Sequence, residues 1–536
     1  MRGKDNVKNK RSILAIALLC IMLVVSACGS KGSQETPGGT SAPETGAPKE
    51  GGNLIMAVQD DPKAMNPLYA GDRVTLTINQ TLYAPFIKIN DGKTTYALAE
   101  SLTRSEDNLK YTMKLRSGLT WHDGEKLTAD DVVFTFNSIL DEKQHSFFRS
   151  YFVFDNKPMK VNKVDDLTVE FILPEVTAAF EGALVQVSPI PKHIFEGEAD
   201  IEKSSKNEAP VGSGSFKFKE YRPGEYVMLD RFDNYYDGKP KLDSVTYRIA
   251  KDPNASNLAL QNGEIQMKMV DAQDYKKLND TGKYEMLVYP EGRLVYMVFN
   301  LNNEVVQKKE VRQAIAYAIN KKEMIETAYS SLEFAEPAAS ILTPDTLYHT
   351  TDVETYDYNV EKAKELLKSA GVSNLKLKLA YANTNKPQTS QALYLQQKLK
   401  DVGIEIELMP MDVTALGNKS LDMNNKDYDL TFGGYIMGSE PDAYRSLFMS
   451  DEGYNYAHYK NKEFDDLWVK GAVEMDTTKR AEIYKQIQQT VANEMTYYPI
   501  AYGKAIVAVN KQFGGLQEAN PKPVVMLEDL SKVYMK

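Results

Sequence analysis

Residues 98–136 read LAESLTRSEDNLKYTMKLRSGLTWHDGEKLTADDVVFTF. The final part, from Trp121, crowds His122, Asp123, Glu125, Asp130 and Asp131 together. Such a density suits either a metal or acid–base centre or a piece of scaffold. Each part has a local structural reading. Tyr111–Arg116 alternates apolar and polar residues as a half-buried strand does. Asp123-Gly124 is a turn signal, because glycine accepts positive φ without steric cost. Thr128-Ala129-Asp130-Asp131 resembles a capping box with Asp in place of Glu, Thr128 capping and Asp131 reaching back to the Thr128 N–H. Both aspartates then sit in a first helical turn, where the helix dipole favours negative charge. Val132, Val133, Phe134 and Phe136 supply the apolar part of that helix. Only Glu125 among the acids lacks a structural role, so the stretch reads as scaffold.

The chain opens with Arg2, Lys4, Lys8, Lys10 and Arg11, followed by the apolar run ILAIALLCIMLVV at 13–25. At ~1.5 Å per residue this run reaches roughly 20 Å, short of a ~30 Å bilayer core, so 1–27 reads as a secretory signal. VSACGS follows, similar to the bacterial lipobox, which makes Cys28 the expected lipidation site. Residues 29–50, GSKGSQETPGGTSAPETGAPKE, hold no apolar side chain larger than alanine apart from proline. Residues 28–50 are therefore expected to be a lipid-bearing disordered tether, having too little to bury to offset ordering entropy. Cys20 and Cys28 are the two cysteines, so the body has no disulfide, thiolate nucleophile or zinc-thiolate site. Five of the 64 basic and one of the 74 acidic residues lie in 1–27, leaving 59 against 73 and a balance of −14. That balance argues against nucleic acid and against an anionic membrane surface as partners.

About 485 residues follow the tether, more than one core accommodates, which implies two or three domains. Alternation predicts strands at Phe216–Lys219, Val245–Ile249, Leu375–Leu379 and Ile404–Leu408. Between the last two, Ala392, Leu395, Leu399 and Val402 recur at helical spacing and Gly403 suits a C-terminal cap, giving a βαβ unit. Val311, Ala314, Ile315, Ala318 and Ile319 share one helical face, with Asn320 and Glu323 placed to cap the next turn. No catalytic constellation emerges. The five histidines are dispersed without helical zinc spacing. Gly92-Lys93-Thr94 lacks the earlier glycine of a phosphate loop, and Gly212–Phe216 is not a nucleophile elbow.

The stretch at 98–136 resembles the signature of the extracytoplasmic solute-binding proteins of family 5, the oligopeptide, dipeptide and nickel receptors of ABC importers. Similar stretches follow in order from Ala209 (APVGSGSFKFKEYRPGE), Asn234, Val311, Tyr358 and Tyr428 (YDLTFGGYIMGSEPDAY). The resemblance runs from about Gly52 to the C-terminus. It implies an α/β, two-lobed periplasmic-binding-protein-like fold (type II, cluster C) with an extra subdomain inserted in the first lobe. Lobe I is expected at 51–88, 206–293 and 498–536, the insertion at 89–205 and lobe II at 294–497.

The resemblance also implies a receptor rather than an enzyme, with no cofactor or metal. Its ligand would be a peptide captured between lobes that close like a clam shell. Its partners would be the permease subunits with their cytoplasmic ATPases and, through the lipid, the outer face of the cell membrane; a monomer is expected. In peptide-binding relatives the segment matching Phe432–Tyr444 carries an aromatic wall and an acid for the peptide's amino group. Tyr435 supplies the aromatic. Ile436, Met437, Gly438 and Ser439 stand where the acid is expected, so Glu440 or Asp442 would have to serve. Phe432 stands where some peptide binders have a basic residue. Asp72 and Arg73 of the Tyr69–Val74 loop would meet the ligand from lobe I, and Met411 and Asp412 from lobe II. The same fold serves receptors for a nickel chelate, haem or an oligosaccharide, and a surface hydrolase is the reading from another class.

Overall fold

The computed structural model describes residues 48–90, 92–154 and 156–536. The signal at 1–27, Cys28 and the tether up to residue 47 lie outside the described residues. The last three residues of the expected tether, Pro48–Glu50, are already tied to the body, because the Lys49 N–H donates to the Met535 carbonyl at 2.8 Å.

An 11-stranded mixed sheet runs through the molecule. From one edge its order is Phe216–Arg222, Tyr226–Arg231, Ser244–Ile249, Asn53–Val58, Met267–Met269, Tyr497–Asn510, Tyr284–Phe299, Leu430–Ile436, Leu375–Ala382 and Ile404–Met411, with Ala335–Pro337 beside Tyr497–Asn510. Two strands are unusually long: Tyr284–Phe299 has 16 residues and Tyr497–Asn510 has 14. They pair antiparallel from Tyr284↔Asn510 to Val298↔Tyr497. The ladder is interrupted between Pro290 and Arg293, where the first strand carries Glu291 and Gly292 without partners.

On either side of that interruption, alternate residues enter different cores, as a period of two requires. Beyond it, Val295, Met297 and Phe299 pack under the helices Lys309–Tyr317, Lys321–Tyr329 and Lys386–Lys398. Leu294, Tyr296 and Val298 face the helices Lys462–Val473 and Thr477–Glu494. Before it, Leu287 joins a core with Leu54, Ile78 and Val507, while Tyr284 joins Leu260, Ile265 and Ala508 on the other face. Both faces of the sheet are covered, which suits its parallel pairs.

The predicted βαβ unit forms as expected. Leu375–Ala382 and Ile404–Met411 are parallel, joined by the helix Lys386–Lys398, and Gly403 caps at φ +81°. Val311, Ala314, Ile315, Ala318 and Ile319 are buried, and the Asn320 side chain accepts from Glu323 N.

Residues 98–136 build a separate core. Ala99–Arg104, Lys110–Leu115, Thr168–Ile172 and Lys160–Asp165 form a four-stranded antiparallel sheet in that order. The helix Ala129–Leu140 packs on it, with the Thr128–Asp131 capping box formed in full. Val132 and Phe136 are wholly buried, while Val133 and Phe134 cover the edge of the core. His122 is scaffold too: the Gly212 N–H donates to its Nδ1 and its Nε2 donates to the Gly214 carbonyl, both 3.1 Å. Burial lowers its pKa to about 4 and keeps it neutral.

The interruption itself needs glycine. Gly292 sits at φ +64°, and a Cβ there would come 2.6 Å from the Met437 carbonyl oxygen. Gly292→Ala is expected to lower the unfolding free energy by about 1–3 kcal/mol, from backbone strain and a contact with unyielding main chain. Urea unfolding read by circular dichroism measures this; an unchanged midpoint would mean that the strand relaxes around the methyl group.

Candidate functional site

The strand Leu430–Ile436 pairs along its whole length with Tyr284–Phe299, but with Leu375–Ala382 only at Leu430 and Thr431. Its remaining edge is open. The Met437 N–H donates to the Gly292 carbonyl and the Asn300 N–H to the Asp429 carbonyl. The alternation of an antiparallel ladder therefore aims the backbone groups of Gly434 and Ile436 away from that neighbour. Among the described residues no strand meets them there. Gly433 is small for a different reason, since a Cβ on it would lie 2.5 Å from the Tyr296 ring.

Aromatic side chains gather around this edge. Tyr435 is 43% exposed, and its ring meets Tyr444 edge-on at 5.5 Å. Burial raises the Tyr435 pKa, and the phenols of Tyr151 and Tyr454 raise it further, so all three are near neighbours. Tyr151 comes from the second core and Tyr454 from the main one; both are exposed, as is Phe147. Phe147 stands over Gly71, and Ser146 donates to the Leu68 carbonyl, so this aromatic turn is fixed to the 69–72 loop.

The charged candidates have partners. Glu440 binds Arg480 through both oxygens, at 2.6 and 3.2 Å, and also caps the short helix Pro441–Leu447. Arg480 is 4% exposed, lies against the rings of Tyr348 and Tyr484, and donates to the Gly471 carbonyl. Asp442 is half-buried, with Arg445 3.7 Å from its Oδ2, and its Oδ1 has no hydrogen-bond partner among the described residues. Burial lifts its pKa to about 6, against the opposing pull of Arg445. Asp72 caps the helix Arg73–Leu82, accepting from Val74 N, Thr75 N and the Thr75 hydroxyl. Arg73 reaches Glu291 at 2.5 Å, and Arg293 meets the other oxygen of that carboxylate at 2.9 Å. Burial alone would raise the Glu291 pKa, but Arg293 and Arg73 outweigh it and hold the pKa low. Asp412 caps the helix Val413–Leu421. Met411 packs beside Ala382 and Tyr428 on the sheet's outermost strand, two strands from Tyr435.

The fold thus gathers Tyr435, Glu440 and Asp442 at one strand end and brings Arg73 to the interrupted ladder. Met411 and Asp412 stand apart. Sequence reasoning missed Glu291, Arg293, Arg480, Tyr151 and Tyr444. For the first two a signal was present: Glu291-Gly292-Arg293 breaks an otherwise strand-like run. Among the described residues no three His, Cys, Asp or Glu side chains converge as metal ligands.

Two outcomes follow from these charges. Glu440→Gln leaves the Arg480 guanidinium buried without its counter-charge and is expected to cost about 3 kcal/mol in the ligand-free protein, read as a fall in the urea midpoint. Asp442 acts through pH. An unfolded aspartate ionises near 3.9, whereas the folded one stays protonated up to about 6. The native state therefore binds more protons between those values, and stability falls as pH rises from ~4 to ~6. Asp442→Asn removes that loss, so the variant should gain on the wild type by roughly 2–3 kcal/mol between pH 4 and pH 7, measured as the difference in unfolding free energy.

The arrangement has known counterparts. The family model for bacterial extracellular solute-binding proteins, family 5, matches residues 93–456. The oligopeptide-binding protein AppA of Bacillus subtilis (strain 168) is 30% identical over 539 residues, covering 95% of this chain and 96% of that protein. The substrate-binding protein CtaP of an ABC transporter from Listeria monocytogenes is 54% identical, with a TM-score of 0.89, over 91% of this chain and all of that one. The structure of Bacillus subtilis AppA in complex with a nonapeptide is 29% identical, with a TM-score of 0.74 over 91% of this chain and 100% of that one. These are two-lobed receptors and not enzymes. The interrupted ladder, the open strand edge and the aromatic rim belong to a molecule of this kind: the chain is a member of family 5 of the bacterial extracellular solute-binding proteins.

Proposed function

We propose that this chain is the lipid-anchored receptor of an ABC importer, tethered to the outer face of the cell membrane through Cys28. It captures a peptide by lobe closure and hands it to the permease subunits. In this reading lobe I comprises 51–88, 206–293 and 498–536, the inserted subdomain 89–205 and lobe II 294–497, with the bend at Glu291-Gly292.

The observation that carries the peptide reading is the open edge at Phe432–Ile436. A peptide lying along it gains main-chain hydrogen bonds from Gly434 and Ile436, which depend on backbone alone and tolerate varied side chains. Tyr435, backed by the buried Tyr444, with Tyr454, Phe147 and Tyr151, offers broad aromatic surface for those side chains. Bacillus subtilis AppA, a relative over nearly the whole chain, binds a nonapeptide.

One observation favours a second reading, a non-peptide solute. Glu440, the first acid after Tyr435, is held by Arg480, so its carboxylate is not free to take an amino terminus.

Native mass spectrometry of the chain from residue 29, purified from cells, separates the two. A ladder of bound peptide masses is the expected result; a single non-peptide mass would overturn the peptide reading. Each hit should raise the melting temperature, since ligand at a hundred times its Kd stabilises by about 2.7 kcal/mol. Tyr435→Ala should weaken peptide binding about tenfold, close to 1.4 kcal/mol, by isothermal titration calorimetry.

A further inference from the structure

The two arginines and one carboxylate at the interrupted ladder do not balance. Glu291 gives one oxygen to Arg73 Nη2 and the other to Arg293 Nε. Arg73 is engaged through both Nη groups: its Nη1 also donates to the Val524 carbonyl and contacts the Met269 sulfur. Arg293 is used only through Nε. Among the described residues no acceptor meets its Nη1 or Nη2, and its side chain keeps 35% of its exposure. One positive charge is left over, on a guanidinium whose orientation Glu291 fixes.

Neighbouring glycines decide where that guanidinium goes. Arg293 stands opposite Gly503 in the ladder, and a Cβ on Gly503 would lie 3.4 Å from the Arg293 Cβ. On the other side its Nη1 lies 3.7 Å from where a Cβ of Gly434 would be. With no side chain at Gly434, the arginine extends across the strand Leu430–Ile436 toward the open edge, where the Gly434 backbone groups point away from the sheet. Tyr329 shares the surroundings: both Arg293 and Glu291 act on its hydroxyl. The charge that lies over Gly434 is therefore a cation, while Glu440, the first acid after the strand, is neutralised by Arg480.

We propose that Arg293 is a ligand-binding residue that takes a carboxylate of the captured molecule, with Glu291 as the group that orients it. A guanidinium held through Nε presents its two Nη groups side by side, the geometry that binds a carboxylate bidentately. The substrate class is then a peptide anchored by an acidic group, either its terminal carboxylate or an acidic side chain, instead of by its amino terminus. This rests on the open edge being the ligand's place.

The test compares matched synthetic peptides of two to nine residues: free acid, the same peptide with each carboxylate amidated in turn, and the same peptide N-acetylated. Titration calorimetry is run on the wild type, Arg293→Ala and Arg293→Lys. In the wild type, amidating one particular carboxylate should weaken binding at least tenfold, and acetylation should change it less than threefold. Arg293→Ala should bind the free acid as weakly as the wild type binds the amide, with no further loss on amidation; Arg293→Lys should fall between. The wild-type comparison does not depend on any variant folding. Peptides that bind regardless of amidation overturn the carboxylate site and keep the peptide receptor. A bound non-peptide acid whose affinity collapses on amidation keeps the site and removes the peptide reading. No binding by any peptide or acid overturns both.

Discussion

The pairing of Tyr284–Phe299 with Tyr497–Asn510 is the constraint on which the rest depends. One ladder ties the two halves of the 11-stranded sheet together. A continuous ladder would also make them rigid, because every residue would be tied by backbone hydrogen bonds to its neighbour. The interruption at Glu291-Gly292 relieves this, and a second, smaller register shift follows between Val295 and Tyr296. The Glu291-Gly292 interruption carries charge as well as freedom: Glu291 binds Arg73, the first residue of the helix Arg73–Leu82, and Arg293 of its own strand, so the same residue marks the break and ties its surroundings to it.

The buried charges share a logic. Glu440 with Arg480, and Glu291 with two arginines, place ionised groups where water is scarce, which costs desolvation energy that attraction only partly offsets. Such pairs are poor sources of stability and good sources of specified geometry. The Glu440 pair fixes the turn after Tyr435 and removes a negative charge from the cleft. The Glu291 cluster fixes a guanidinium and leaves a positive one. Together they set the sign of the field that a ligand meets.

Much of this is legible in the amino-acid sequence alone. The capping box at Thr128–Asp131 is readable because its partners lie within four residues, and the βαβ unit because its periodicities are local. The inference that His122 belongs to scaffold rests on its surroundings, and its two bonds, to Gly212 and Gly214, agree. The site is legible only in outline. Tyr435 announces itself, but the partner of Glu440 lies forty positions away, in the helix Thr477–Glu494. Arg73 stands out in its loop; that it holds Glu291, 218 positions on, is a long-range pairing that no periodicity encodes. Asp72, Asp412 and Asp442 show the converse limit. An acid before a helix reads equally as a cap or a contact, and in Asp72 and Asp412 the cap is what forms.

The interrupted ladder is also lopsided. Between Pro290↔Lys504 and Arg293↔Gly503 one strand advances three residues while its partner advances one. The first strand therefore holds two residues of slack, and the second is taut at the same level. Any bend there has a fulcrum and a free side: the Lys504-Gly503 chain stays short and acts as the pivot, while Glu291 and Gly292 can straighten or fold. A bend at this level, as the proposed lobe closure requires, would be limited by the short side and taken up by the long one. Arg293 is mounted next to the slack, so such a bend would carry its guanidinium across the strand edge.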